Sequence, residues 1–221
     1  MHSKVRRFVA MKCKLSPSSL NLLEDCPRCF WLQMVKNIKR PSGPWASIPL
    51  KMDRIIKGYF NRYRSQNKLP PMIDGKVPGR LAVGMPNMLN VRLYNGFSIC
   101  GKPDDYLKLD DGRIAILDHK TKSKEPDSVH RAYQLQMDIY YYLLEAMGYK
   151  TVDRAYLAFY YPGDCDLHDG MPFSCKVIYV KTSSSRAVKI ISKAFKVLGL
   201  EIPDPYENCE YCKWKNDTNF F

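Results

Sequence analysis

At 221 residues the chain has room for one domain with a substantial core, and its 45% hydrophobic content excludes wholesale disorder. No apolar run approaches the roughly 20 residues that cross a bilayer, and residues 8–11 are too short for the apolar core of a signal peptide, so a cytoplasmic protein is expected. With 35 Lys and Arg against 22 Asp and Glu the net charge is +13, which attracts polyanions; nucleic acid is the expected partner rather than membrane, since no basic amphipathic helix stands out.

Residues 1–14 read as a basic arm carrying Lys4, Arg6 and Arg7. Ser16-Pro17 opens a helix, with Ser as cap and Pro at the first position, that runs through Leu20, Leu22 and Leu23. It ends at Cys26-Pro-Arg-Cys29, and a shorter helical segment follows through Phe30-Trp31-Leu32. Residues 41–44 form a loop. Met52, Ile55, Ile56, Tyr59, Phe60 and Tyr63 then show helical apolar spacing over 50–65. The Pro- and Gly-rich stretch 68–90 predicts loop with short strand, and a hairpin is expected over 91–120, turned at Asp111-Gly112. Asp127 or Ser128 caps the next helix, which continues to Met147 and stops at Gly148. Strands near 152–161 and 174–182 and a helix over 184–198 complete the pattern, before a loop-rich C-terminus with Pro203 and Pro205. This order predicts an α/β fold, a mixed central sheet flanked by helices, with residues 15–221 as one domain.

The hairpin carries the chemistry. Folded about Asp111, it sets Asp104 opposite Asp118 and Lys102 opposite Lys120. Like charges that close are destabilising in a sheet, whereas a divalent cation seeks carboxylate oxygens and reverses the sign. Lys120 lies two residues beyond Asp118 and shares its face. Two carboxylates and an ammonium converging there suggest metal-assisted hydrolysis of a phosphate ester. A strict two-residue Asp111-Gly112 turn would shift the pairing by one and separate the carboxylates, so the site requires a longer loop or a bulge. A solvated hairpin with scattered charge is the competing reading.

On the following helix Tyr133, Gln136 and Tyr140 share a face, while Leu135, Ile139 and Leu143 give an apolar stripe for the sheet. Gln136 can both donate and accept beside a phosphate, and Tyr140 can position a nucleotide backbone. Of the 8 cysteines, four are paired, Cys26 with Cys29 and Cys209 with Cys212; Cys13, Cys100, Cys165 and Cys175 stand alone. Without a secretion signal, metal binding or free thiols are expected ahead of disulfides.

Together, Gly101-Lys-Pro-Asp104, Ile116-Leu-Asp118-His-Lys120-Thr121, Gln136-Met-Asp-Ile-Tyr140 and the stretch from Ser18 to Cys26-Pro-Arg28 resemble the RecB-like branch of the PD-(D/E)xK nuclease superfamily, which includes the CRISPR-associated RecB-like exonucleases. The resemblance spans about residues 15–214. It implies a restriction-endonuclease-like core and a Mg²⁺- or Mn²⁺-dependent DNA nuclease, exonuclease ahead of endonuclease, acting on single-stranded or end-bearing DNA in repair, recombination or CRISPR adaptation. By that resemblance Asp104, Asp118 and the His119 carbonyl ligate the metal. Lys120 activates water and stabilises charge, and Gln136 and Tyr140 support the site. The His119 side chain points away and is structural.

Some relatives carry a [4Fe–4S] cluster between the two chain ends, and Cys26, Cys29, Cys209 and Cys212 supply four thiolates from those regions. Relatives place one cysteine early and three late, whereas this chain has two and two, so structural Zn²⁺ stands as the alternative to Fe–S. The early helix offers no His, and Asp53 is the candidate third metal ligand. The rival function is a catalytically inactive nuclease-fold module that binds nucleic acid.

Overall fold

The computed structural model describes residues 13–43 and 47–217, so most of the expected basic arm lies outside the described residues. A two-residue strand, β1 (Lys14–Leu15), leads into α1 (Pro17–Asp25). Ser16 caps α1 reciprocally: its hydroxyl accepts the Ser19 N–H at 3.2 Å, and its own N–H donates to Ser19 Oγ at 2.8 Å. Cys26 closes α1, and Pro27 starts α2 (Pro27–Lys36), a longer helix than the short segment expected. α3 (Ser47–Arg64) buries Ile56 and Phe60, but Ile55, counted in its apolar stripe, is exposed.

The single hairpin expected over 91–120 is in fact two. β3 (Leu89–Arg92) and β4 (Ser98–Gly101) form one, which joins β1 in a three-stranded sheet of order β1-β4-β3. β5 (Asp105–Lys108) and β6 (Ile114–Thr121) form the other. These two belong to a five-stranded mixed sheet with β2 (Arg80–Leu81), β7 (Thr151–Pro162) and β8 (Phe173–Lys181), in order β2-β5-β6-β7-β8. The break falls at Lys102-Pro103-Asp104, where Pro103 has no N–H to give a ladder. Lys102 therefore lies outside the β5–β6 pairing and does not face Lys120 across it.

β6 and β7 run parallel, so a crossover must join them. α4 (Arg131–Ala146) supplies it. His130, not Asp127 or Ser128, caps α4, its Nδ1 accepting the Ala132 N–H at 3.2 Å. The preceding segment is tied to the sheet instead: Lys176 of β8 holds Glu125 at 2.7 Å and the Pro126 carbonyl at 3.2 Å. α5 (Ser184–Leu198) follows β8, and α6 (Glu210–Asp217) carries Cys212 where loop was expected.

Strand alternation sorts the core onto two faces. Ile114 and Ile116 of β6, with Ala155, Leu157 and Phe159 of β7, face the layer of α1, α2, α4 and α5. Ala115 and Leu117, with Tyr156, Ala158 and Tyr160, face Ile56 and Phe60 of α3. The fold is thus α/β, a mixed sheet flanked by helices. α4 buries Met137, Ile139, Tyr140, Leu143 and Leu144, more than one stripe's worth, because it is enclosed between the two sheets and α5. Its buried Asp138 is fully engaged: Arg186 Nε and Nη2 donate at 2.7 Å each, and the Ser183 N–H at 2.9 Å. Among the described residues no helix is long and apolar enough to cross a membrane.

Candidate active site

The turn between β5 and β6 sets the geometry. The Leu109 N–H donates to the Arg113 carbonyl at 2.9 Å, enclosing a three-residue loop, and the Gly112 N–H donates to the Leu109 carbonyl at 2.9 Å. Gly112 has φ +82, the left-handed residue that completes such a bulged loop. Asp111 braces the turn, accepting from Arg113 N at 3.0 Å and Nε at 2.8 Å. The extra residue keeps Asp105 paired with Leu117, and one step on the same register sets Asp104 across from Asp118.

Asp118 is 1% exposed on the α4 side of the sheet. Lys120 Nζ lies 2.5 Å from Asp118 Oδ2, out of hydrogen-bond alignment, and that buried oxygen has no hydrogen-bond donor. Burial, opposed by Lys120 and reinforced by Asp104, pushes the Asp118 carboxyl up to about 6. Asp104 sits just before β5, its Oδ2 accepting the His119 N–H at 3.1 Å.

From Lys120 a hydrogen-bond chain runs with only one possible direction. Lys120 Nζ can only donate, so at 2.9 Å it meets Gln136 Oε1. The Gln136 amide then donates from Nε2 to Tyr140 OH at 2.8 Å, and the Tyr140 hydroxyl donates to the Lys102 carbonyl at 3.0 Å. Burial, together with the nearby Asp118 charge, pushes the Tyr140 phenol upward, so it stays a donor. Tyr133 faces Lys120, its ring centroid 4.8 Å from Nζ.

Gly101 makes room for this chain. A Cβ there would lie 2.5 Å from Tyr140 Cε1 and 3.1 Å from Leu143 Cδ1. Gly101→Ala is expected to cost about 1–3 kcal/mol as overpacking and to displace Tyr140 from the Lys102 carbonyl. A denaturation midpoint, with a tyrosine hydroxyl probe at position 140, checks both; unchanged values contradict the arrangement.

Sequence reasoning missed a second polar cluster on the α3 side. His119, 4% exposed at its side chain, places Nε2 3.0 Å from Asp105 Oδ2 and Nδ1 3.2 Å from Tyr160 OH, and Arg64 of α3 closes onto Asp105. The signal was available: Asp105 and His119 are the strand neighbours of Asp104 and Asp118, so alternation sends them to the other face. Asp53 reaches the pair through Lys57, which stands between it and Asp104. It is exposed on α3 and bound 2.7 Å from Lys57, and the residue α3 directs at Asp104 is Lys57, 3.9 Å from Oδ1.

The four paired cysteines converge where α1, α2 and α6 meet, all buried, with their sulfurs within 4.8 Å of one another. Cys26–Cys212 is 3.9 Å, and Cys29–Cys209 and Cys29–Cys212 are 3.6 Å. Arg40 Nη2 approaches Cys209 Sγ at 3.7 Å. Of the solitary cysteines, Cys13 and Cys100 are buried, Cys175 is half-buried and Cys165 exposed.

A sequence profile of the PD-(D/E)XK nuclease superfamily matches residues 54–216. No curated protein matches the chain. Among solved structures, a protein designated SSO0001 is similar with a TM-score of 0.43 and 13% identity, over 94% of this chain and 82% of that one. An alkaline exonuclease from Laribacter hongkongensis is similar with a TM-score of 0.43 and 14% identity, over 96% of each chain.

Proposed function

Because the chain belongs to the PD-(D/E)XK nuclease superfamily, we propose that it is a Mg²⁺- or Mn²⁺-dependent DNA nuclease of the RecB-like branch, with residues 15–221 as one working unit. The observation that carries this reading is the buried Asp118 Oδ2, which has no hydrogen-bond donor and faces a site walled by a second carboxylate. A buried carboxylate with a second carboxylate beside it and a single ammonium to offset the two is costly, and a hard divalent cation satisfies it. Asp104, Asp118 and the His119 carbonyl would hold the ion, a donor set of oxygens alone that suits Mg²⁺ or Mn²⁺. When bound, the ion supplies charge neutralisation at the scissile phosphate and lowers the pKa of water.

The chain's own residues do the rest. Lys120, held by Gln136, presents an ammonium at the position where water attacks and negative charge develops. Tyr140 and the Lys102 carbonyl fix the Gln136 amide, so the ammonium is aimed without reorganisation. The net charge of +13 supports a polyanionic substrate. Single-stranded or end-bearing DNA, and exonuclease action, follow from the motif resemblance, as does a place in repair, recombination or CRISPR adaptation.

For the cysteines we propose a structural metal centre, with all four ligand positions filled by thiolate. A sulfur tetrahedron around one ion at about 2.3 Å has edges of about 3.8 Å, and the sulfurs here are 3.6–3.9 Å apart in three of their pairs and all within 4.8 Å. That spacing supports Zn²⁺ ahead of the [4Fe–4S] cluster expected from the resemblance, since a four-iron cluster must hold its thiolates further apart.

Lys120→Met tests the catalytic reading. Cleavage of a DNA oligonucleotide in Mn²⁺ is expected to fall by about 10²–10³-fold, with Mn²⁺ still bound by calorimetry. Cleavage at the parent rate contradicts the role given to Lys120.

A further inference from the structure

α3 presents Lys57 to the site between two carboxylates. Its ammonium is anchored 2.7 Å from Asp53, one helical turn away, and reaches to within 3.9 Å of Asp104 Oδ1. It therefore places a positive charge beside a carboxylate that the nuclease reading gives to a divalent cation, and two cations at one carboxylate oppose each other. Beside this contact opens a cleft of about 400 Å³, whose charged lining is three cations, Lys57, Arg64 and Lys102, against two carboxylates, Asp104 and Asp105, with the amides of Asn61 and Asn87. Arg64 is committed to Asp105 and to the Ala82 carbonyl. Lys102 has no ion pair among the described residues, so Lys57 and Lys102 are the charges with capacity for an anion.

We propose that this cleft is the subsite for the phosphodiester adjoining the one that is cut, and that Lys57 exchanges Asp104 for that phosphate when a divalent cation occupies Asp104. The inference rests on the nuclease reading above. The exchange needs only rotation within a flexible four-carbon stem whose helix is fixed by Ile56 and Phe60 in the core. In the metal-free, DNA-free protein Lys57 competes with the ion for Asp104. With a strand bound, the competition is relieved. Metal and nucleic acid then favour each other's binding, and by linkage the factor is the same in both directions.

Lys57→Met and Lys57→Arg separate the charge from the side chain, and both residues keep good helix propensity at this partly exposed position. Without DNA, Lys57→Met is expected to bind Mn²⁺ about 2- to 5-fold more tightly than the parent, the range an exposed ion pair supplies. With a single-stranded oligonucleotide in Ca²⁺, the slope of log K against log salt is expected to shrink by about 0.7 for Lys57→Met, one phosphate contact on a single strand. Lys57→Arg should keep the parent slope. Equal or weaker Mn²⁺ binding by Lys57→Met, or an unchanged slope, overturns the proposal while leaving the nuclease reading intact. A parent protein that binds neither Mn²⁺ nor the oligonucleotide overturns both.

Discussion

Asp118→Asn is expected to reduce metal-dependent cleavage by about 10³-fold, the scale on which one positioned charge-stabilising group acts, without destabilising the metal-free protein at pH 8. The two effects share one cause. Burial raises the Asp118 carboxyl from 3.8 to about 6, so the fold holds the proton more tightly than the unfolded chain does. A raised carboxyl contributes stability that is fully present below about pH 3.8 and is lost as pH rises through about 6. Above that pH the metal-free parent carries an ionised carboxylate whose burial outweighs its contact with Lys120 at 2.5 Å, a burden that Asn removes. The melting temperature of Asp118→Asn should therefore equal or exceed the parent's at pH 8 in a chelator, and the advantage should vanish below about pH 4. Added Mn²⁺ should reverse the order by stabilising the parent alone, through binding only its folded state. A variant that melts well below the parent at pH 8 without metal would mark Asp118 as a structural residue. Function would then not be the reason for its burial.

Loss of the cysteine centre should have the largest effect on stability. It ties α1 and α2 to α6, joining residues such as Cys29 and Cys209 that are 180 positions apart. Closing a loop of that length is worth about 5 kcal/mol in the chain-entropy account, and at roughly 2–4 °C per kcal/mol for a chain of this size the melting temperature should fall by about 10–20 °C. Cys209→Ser should show that loss together with loss of bound metal, and removing the metal from the parent with a chelator should give the same result. Elemental analysis of purified protein is expected to show one zinc per chain. Four irons per chain with a brown colour would refute the assignment from sulfur spacing. A metal-free protein melting at the parent temperature would remove the centre altogether.

Much of the site's frame was legible in the chain because it depends on strict periodicities. The need for a bulged loop followed from counting residues between Asp104 and Asp118, and Gly112 at φ +82 supplies it. α5 was readable to its ends because Ser183 caps a clean apolar stripe. What could not be read depends on contacts between distant parts. The split of one hairpin into two sheets turns on Pro103 and on β1 claiming the edge of β4. The start of α4 at His130 turns on Lys176 holding Glu125 and Pro126 from another strand. Asp53 and Lys57 share one face of α3 a turn apart, and which of them stands nearer Asp104 depends on how far along its axis the helix sits against β6, which no periodicity encodes.

The most direct test of the nuclease reading is cleavage of an end-labelled single-stranded DNA oligonucleotide by the purified protein at pH 8, in Mn²⁺ and in EDTA, beside Asp118→Asn. Shortened products that require Mn²⁺ and disappear in the variant are predicted. Intact DNA in every lane, with tight binding by the parent, would contradict the account and leave a nucleic-acid-binding module in its place.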